Sequence, residues 1–447
     1  MLEFFNQIDT FIWGPPLLIL LVGTGIYLSI RLGLLQVIKL PKALRLIFAE
    51  SEGHGDISSF AALCTALAAT VGTGNIVGVA TAIKAGGPGA LFWMWMAAFF
   101  GMATKYSEGL LAIKFREKDE NGEIAGGPMY YIVNGLGRNW KWLAILFALF
   151  GSLTALLGSG TFTQVNSITD SIKNSVGWNP RYVSVVLAIL VAIIIFGGIQ
   201  SISKVSTLVV PFMALIYVLA GLTILAVNYD KLLPSIGLVF SSAFTGQAAT
   251  GGFMGATVMV ALQKGVARGV FSNESGLGSA PIAAAAAKTE EPVEQGLISM
   301  TGTFIDTIII CTLTGMAIIV TGGWSSKLDG AVLTQLAFAS FFGNWGIWAL
   351  TISLVLFAFT TILGWSYYGE RCFEFLFGAK SIPVYRAIFV AMVAIGGFIK
   401  LETIWAIADI VNGLMAFPNL VALLGLSPII LAETKKYFAK SDLDLTK

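Results

Sequence analysis

The chain has 447 residues, of which 56% are apolar and 12% charged, with a net charge of +2 and a mean hydropathy of +0.83. Soluble domains carry roughly 25% charged residues, so the outer surface is too apolar for water and the bilayer is its solvent. The small net charge excludes a basic nucleic-acid-binding face, and Cys64, Cys311 and Cys372 are too scattered for a metal site or a disulfide framework.

Glu3 and Asp9 precede the first apolar run, with no basic segment or small-residue cleavage site, so no cleaved signal is expected. Stretches long enough to cross a hydrocarbon core, about 20 residues of helix, then predict eleven spans. They fall at 13–32, 57–85, 88–114, 142–172, 180–199, 203–227, 254–287, 296–321, 346–370, 384–400 and 403–431. Four clusters of Lys and Arg then fall on one side of the membrane. They are Arg31, Lys39, Lys42 and Arg45; Lys114, Arg116 and Lys118; Arg371, Lys380 and Arg386; and Lys435, Lys436 and Lys440. Positive residues stay cytoplasmic, which predicts an outside N-terminus and a cytoplasmic tail at 432–447. The longest connection is of the order of 25 residues, too short for a soluble domain.

Two spans are not simple helices. The first, ATVGTGNIVGVA, holds Gly72, Gly74 and Gly78 beside Thr70, Thr73 and Asn75; the second, FSNESGLGSAP, holds Gly276, Gly278 and Pro281 beside Ser272, Asn273, Glu274 and Ser275. Each interior Gly weakens a helix by about 1 kcal/mol and Pro by more, so both spans are predicted to be interrupted near mid-membrane. Gly74 and Gly78 also fit a close-packing face, but such a face does not call for Glu274. Five spans begin with each broken helix, so an odd number of crossings separates the two. The halves 57–228 and 250–431 are therefore inverted repeats, and the span 13–32 lies outside them as a peripheral helix.

Backbone groups freed by a break must be satisfied inside the membrane. Half-helix N-termini offer N–H groups suited to a carboxylate, and half-helix C-termini offer carbonyls suited to a small hard cation. A zwitterionic amino acid with a co-transported Na⁺ matches both. No catalytic constellation or cofactor motif accompanies these breaks, and His54 lies in the polar loop EGHGD as a solvated residue.

The stretch GGPGALFWMWMAAFFG, residues 86–101, matches the motif of the alanine or glycine:cation (sodium:alanine) symporters, and NESGLGSAPIAAAA extends the match. The resemblance covers nearly the whole chain. It implies an all-α polytopic fold of the leucine-transporter class, with five-plus-five inverted repeats, and sodium-coupled uptake of small neutral amino acids such as alanine and glycine. Trp93 and Trp95 within the motif read as packing or interface anchors.

The same resemblance aligns Thr70-Val71-Gly72-Thr73-Gly74-Asn75 with the first break of that class. It implies that Thr73 and Gly74 hold the substrate carboxylate, that the carbonyls of Ala68 and Val71 face Na⁺, and that Thr70 and Asn75 lie near a possible second ion. Phe271 would cap the pocket, and Ser272 with the carbonyls freed around Gly276 and Leu277 would take the ammonium. Thr360 and Thr361 would complete the sodium site. Trp365 either walls the pocket or packs, and Gln164 either contacts substrate or bonds between helices. Glu274 and Asp306 are intramembrane acids whose roles do not transfer. Each either binds ligand or pairs across helices. A proton-coupled carrier using one of them is the rival reading; a channel or an intramembrane enzyme lacks the necessary pore rings or catalytic groups.

Overall fold

The computed structural model describes residues 2–50, 52–245, 258–398 and 401–444. Helices dominate it. α1 (Leu2–Ile12) meets α2 (Pro15–Arg31) at Gly14, where two prolines open α2 with φ already set for a helix. Short helices α3 (Leu35–Ile38) and α4 (Leu40–Leu46) then lead to α5 (Ser59–Thr70), which Ser58 caps by accepting from the Ala61 N–H at 3.2 Å. The predicted first break follows at once. A π-helical turn, Gly74–Gly78, joins α6 (Val79–Gly86), and the axes on either side of the break differ by 51°.

α7 (Gly89–Lys114) returns across the molecule, and a hairpin of β1 (Glu117–Lys118) and β2 (Ile124–Ala125) leads through α8 (Pro128–Tyr131) to α9 (Lys141–Leu157). The predicted span 142–172 falls within one apolar span, Arg138–Val176, that is interrupted: α9 stops at Leu157 and α10 (Phe162–Val176) restarts after Gly158–Thr161. Gly158 takes φ −117°, ψ −128°, and a side chain at Gly160 would strike the Ala155 backbone. Glycine therefore permits this third interruption. α11 (Pro180–Ile195), α12 (Gly198–Val227) and α13 (Tyr229–Thr245) follow. The sequence predicts a loop where α13 lies; Ser235, Val239 and Ala243, four apart, bury one face of it, and Trp93 Nε1 donates to the Ala243 carbonyl at 3.3 Å.

The second half contains α14 (Val258–Asn273), α15 (Ala280–Ala285), α16 (Pro292–Thr303), a π segment Phe304–Cys311, α17 (Thr312–Val320), α18 (Gly330–Phe342), α19 (Asn344–Phe377), α20 (Ile382–Gly396), α21 (Leu401–Gly425) and α22 (Ser427–Asp444). α18 fills another predicted loop, and the predicted tail is largely helix α22. The segment before α14, where the second repeat was predicted to begin, lies outside the described residues.

Among the described residues, seven helices are long and apolar enough to cross a membrane, or eight with the bent pair counted as one span. Each predicted stretch contains helix, but α7 carries Lys105 and Glu108, and α11 has only 16 residues. α11 exposes Tyr182, Val186 and Ile193, and α12 exposes Leu208, Phe212 and Leu219, large apolar side chains on both helices. Side chains of this kind belong against lipid, so the chain is a multi-pass membrane protein.

At one end of the molecule the segment before α5 meets the segment after α15. The amides of Asp56 and Ile57 donate to the Ala286 carbonyl, and Lys288 N donates to Ile57 O at 2.8 Å. Arg116 clamps this junction: its guanidinium donates to the carbonyls of Ala285, Ala287, Thr289 and His54 at 2.6–2.8 Å. Arg371 holds the adjoining hairpin through Asp119 at 3.0 Å and Glu123. Arg116→Ala removes charge-assisted bonds of about 1.5–3 kcal/mol each. Hydrogen exchange at the Asp56, Ile57 and Lys288 amides is therefore expected to accelerate at least about tenfold. Unchanged exchange at these amides would show that the clamp contributes nothing.

Candidate functional site

The first break begins where α5 loses its hydrogen bonds. Val71 donates the last α-helical N–H, to Leu67 O, and then turns extended at φ −76°, ψ 90°. Asn75 restores order by accepting from the Gly72 N–H at 2.8 Å. A side chain at Gly72 would overlap Thr361 Oγ1 and come within 3.5 Å of Gln164 Oε1. This glycine lets α10 and α19 approach the open backbone.

The second break runs from Glu274 to Ser279. Glu274 has φ +57°, and Gly276 and Gly278 have φ +88° and +81°. A non-glycine residue in this region costs of order 1–3 kcal/mol and persists only where its surroundings over-determine it. Here the Glu274 carboxylate accepts from Trp365 Nε1 at 2.9 Å and from Ser279 Oγ at 2.5 Å. It ties the broken loop to α19 and to its own continuation.

Asp306 joins the two breaks. Its Oδ1 accepts from Asn75 Nδ2 at 2.7 Å, and its Oδ2 accepts from Ser272 Oγ at 2.9 Å and Thr307 Oγ1 at 2.7 Å. All four residues are fully buried. The π segment Phe304–Cys311 carries Asp306 to this position, and such segments recur at functional sites because they rotate one side chain out of α-helical register. Gly74 allows the contact, since a methyl there would lie 3.0 Å from Ser272 Cα and 3.4 Å from the Phe271 ring.

The candidate residues divide clearly. Gly72, Gln164 and Thr361 converge on the backbone of the first break, with Thr361 Oγ1 3.5 Å from Val71 O. Gln164 Nε2 is spent on Ser159 O at 3.0 Å, leaving its buried Oε1 without a hydrogen-bond partner among the described residues; Thr73 Oγ1 is in the same condition. Gly74, Asn75, Phe271 and Ser272 lie at the contact between the breaks. Trp365 is buried and bonded to Glu274, with Gly160 against its Cβ. Ala68 is buried on the last turns of α5.

Others point elsewhere. Thr360 donates to Phe357 O and reaches Met213 on α12, turning away from the first break. Thr70 donates back to Ala66 O and lines a separate small cavity. Gly276 N donates to Glu108 Oε1 at 3.1 Å, and Leu277 N turns back to Glu274 O.

Several residues went unread in the sequence. Lys105 and Glu108 face the breaks from α7, and Asn419 Nδ2 donates to both Glu108 Oε1 (2.6 Å) and Gly276 O (2.9 Å). Arg268 pairs with Asp409 through two hydrogen bonds, 2.7 and 3.2 Å, and its guanidinium lies 5.4 Å from the centre of the Phe271 ring. Arg268 borders a cavity of about 440 Å³ formed with Gly78, Asp170, Asp329 and Gln335. The signal was present: charges inside apolar spans mark sites in membrane proteins.

Interrupted helices that meet around buried polar groups within a multi-pass bundle define the site class of secondary transporters. Comparison with known proteins gives the family: the chain belongs to the sodium:alanine symporter family, whose pattern it matches over residues 1–447. It is 52% identical over 441 residues to the sodium/alanine symporter AgcS of Methanococcus maripaludis, covering 97% of this chain and 96% of that one. An uncharacterized transporter of Haemophilus influenzae is 58% identical over 438 residues, with 97% and 96% covered. The amino-acid carrier protein AlsT of Bacillus subtilis is 37% identical over 442 residues, with 98% and 92% covered.

Proposed function

We propose that this protein carries small neutral amino acids, alanine and glycine, into the cell together with Na⁺ by alternating access. The observation that carries the reading is the Asp306 carboxylate joining Asn75 of the first break to Ser272 of the second. Ligands at either break act on one connected unit. Amides of Thr73 and Gly74 receive the substrate carboxylate, while Ser272 and Gln164 Oε1 supply acceptors for its ammonium. Thr361 Oγ1 with the carbonyls of Ala68 and Val71 receives Na⁺. Thr360 and Thr70 face away from this position, which leaves Thr361 as the hydroxyl ligand. The eleven-span, leucine-transporter-like arrangement, with repeats 57–228 and 250–431 and an N-terminus outside, places the Arg116 junction on the cytoplasmic side. The Arg268–Asp409 pair over Phe271 then faces outward.

Between coupling by Na⁺ and by protons, the hydrogen bonds that Asp306 and Glu274 accept from other elements favour Na⁺, since both carboxylates act as fasteners. Alanine and glycine are expected to compete for one site, whereas ethylamine and propionate, each filling one helix end, are not. Equal competition by propionate would remove the zwitterion reading. Trp365 and Phe271 confine the side chain, whereas Leu277 turns back onto Glu274, so leucine should bind weakly. Trp365→Ala should improve leucine competition roughly tenfold, the scale of a methylene fitted or refused. Unchanged selectivity would assign Trp365 to packing and to Glu274 alone.

A further inference from the structure

Lys105 is a charged group at the breaks whose role the symport reading leaves open. Its residue is 3% exposed, and its ammonium has no hydrogen-bond partner among the described residues. It borders a small cavity of about 20 Å³, enough for one water-sized occupant. Two further unpartnered atoms belong to the same lining, Glu108 Oε2 and Gln295 Oε1. Thr70, Asn273 and Ser299 also line it, with the Thr70 hydroxyl donating to Ala66 O and Asn273 Oδ1 accepting from Ser275 N. Thr70 ends α5 and Asn273 ends α14, so two helix C-termini with partial negative charge meet here.

Two buried acceptor oxygens without partners and two helix C-termini beside a space the size of a water make a setting for a small cation. The chain already supplies one, covalently attached. We infer that Lys105 is a resident cation that takes the place of a second coupling Na⁺ between the C-terminal ends of α5 and α14, so that one Na⁺ accompanies each amino acid. This inference rests on the sodium-symport reading and narrows its stoichiometry. It also moves the possible second ion away from Asn75, whose amide is committed to Asp306, and gives the Thr70 side of the break to the lysine.

The test is the alanine gradient that a sodium gradient sustains at zero flux in proteoliposomes, with the membrane potential clamped at zero. A tenfold Na⁺ gradient supports roughly tenfold accumulation with one coupled ion and roughly 100-fold with two. Wild-type protein is expected at the lower value, and the higher one would overturn the inference while leaving sodium symport intact. Absence of any sodium-driven accumulation would instead defeat the symport reading itself. Lys105→Met, which keeps the bulk and removes the charge, should admit a second Na⁺ and move to the higher value; Lys105→Arg should stay at the lower one. Accumulation by Lys105→Met at the wild-type value would overturn the proposal. If Lys105→Met folds without transporting, ²²Na⁺ bound per alanine in detergent is expected to be two, and one would overturn it. If it does not fold, Lys105→Gln is read by the same binding count.

Discussion

Asp306→Ala is expected to abolish alanine binding and lower the stability of the purified protein by about 1–3 kcal/mol, since Thr307 Oγ1 loses its acceptor outright while Asn75 Nδ2 keeps the Asp306 carbonyl at 3.2 Å and Ser272 Oγ keeps Cys311 Sγ at 3.3 Å. Asn75 Nδ2, Ser272 Oγ and Thr307 Oγ1 all end on this carboxylate, and none is reachable by solvent. The loss also travels through the backbone. Asn75 holds Gly72 N with its other amide atom, so releasing Asn75 from Asp306 loosens the first break where substrate and ion are proposed to bind. Asp306→Asn keeps one acceptor, and the two hydroxyls can rotate to meet its new N–H groups, so an intermediate loss is expected. Thermal unfolding in detergent, paired with alanine binding, measures both effects. An Asp306→Ala protein that binds alanine normally would show that the two breaks are not joined through this residue.

Thr361→Ala is the second large effect, and it acts on the ion. A dehydrated Na⁺ replaces its water with protein oxygens, and the extended turn at Val71 supplies only part of the set. Thr361 is positioned to add one: its Oγ1 lies 3.5 Å from Val71 O and donates to Phe357 O at 2.9 Å, which leaves its lone pairs directed into the break. Removing it should weaken Na⁺ binding by about 1–3 kcal/mol, the cost of an unmet buried partner. Because linkage is reciprocal, apparent alanine affinity at sub-saturating Na⁺ should fall too, and high Na⁺ should restore it. Thr361→Ser retains the oxygen and is expected to be mild. Thr360→Ala, on the face toward Met213, should leave the Na⁺ dependence unchanged. Sodium dependence that survives Thr361→Ala but not Thr360→Ala would place the ion elsewhere.

Much of this site was legible because broken helices announce themselves. Gly72, Gly74, Gly276 and Gly278 beside hydroxyl, amide and carboxyl residues read as interruptions, and the backbone does open there. The apolar runs likewise located the seven or eight described helices long and apolar enough to cross a membrane, fewer than the eleven spans expected, since a bilayer demands about 20 apolar residues whatever the tertiary fold. What escaped is what hydropathy averages away. α13 and α18 lie in stretches read as loops, because helices that pack alongside a bundle need neither the length nor the apolarity of a span. The break at Gly158–Thr161 lacks the carboxylate and proline that marked the second break, yet it turns Ser159 O toward Gln164 and Ser159 Oγ toward Asn412. Lys105 and Glu108 were visible inside an apolar run and passed over. Three-residue spacing puts them on one helical face, and that face meets Thr70, Asn273 and Gln295 only once α5, α14 and α16 have assembled around it. The fastening roles of Glu274 and Asp306 were equally out of reach, for their partners Trp365 and Asn75 lie 91 and 231 positions away.

The most direct measurement is uptake of radiolabelled alanine into proteoliposomes containing the purified protein, driven by an inward Na⁺ gradient or by an equal K⁺ or choline gradient at the same pH on both sides. Sodium-coupled symport predicts accumulation above the external concentration with Na⁺ alone, collapsing when the gradient is dissipated. Uptake that is indifferent to the cation, or that follows an imposed pH gradient without Na⁺, would contradict it.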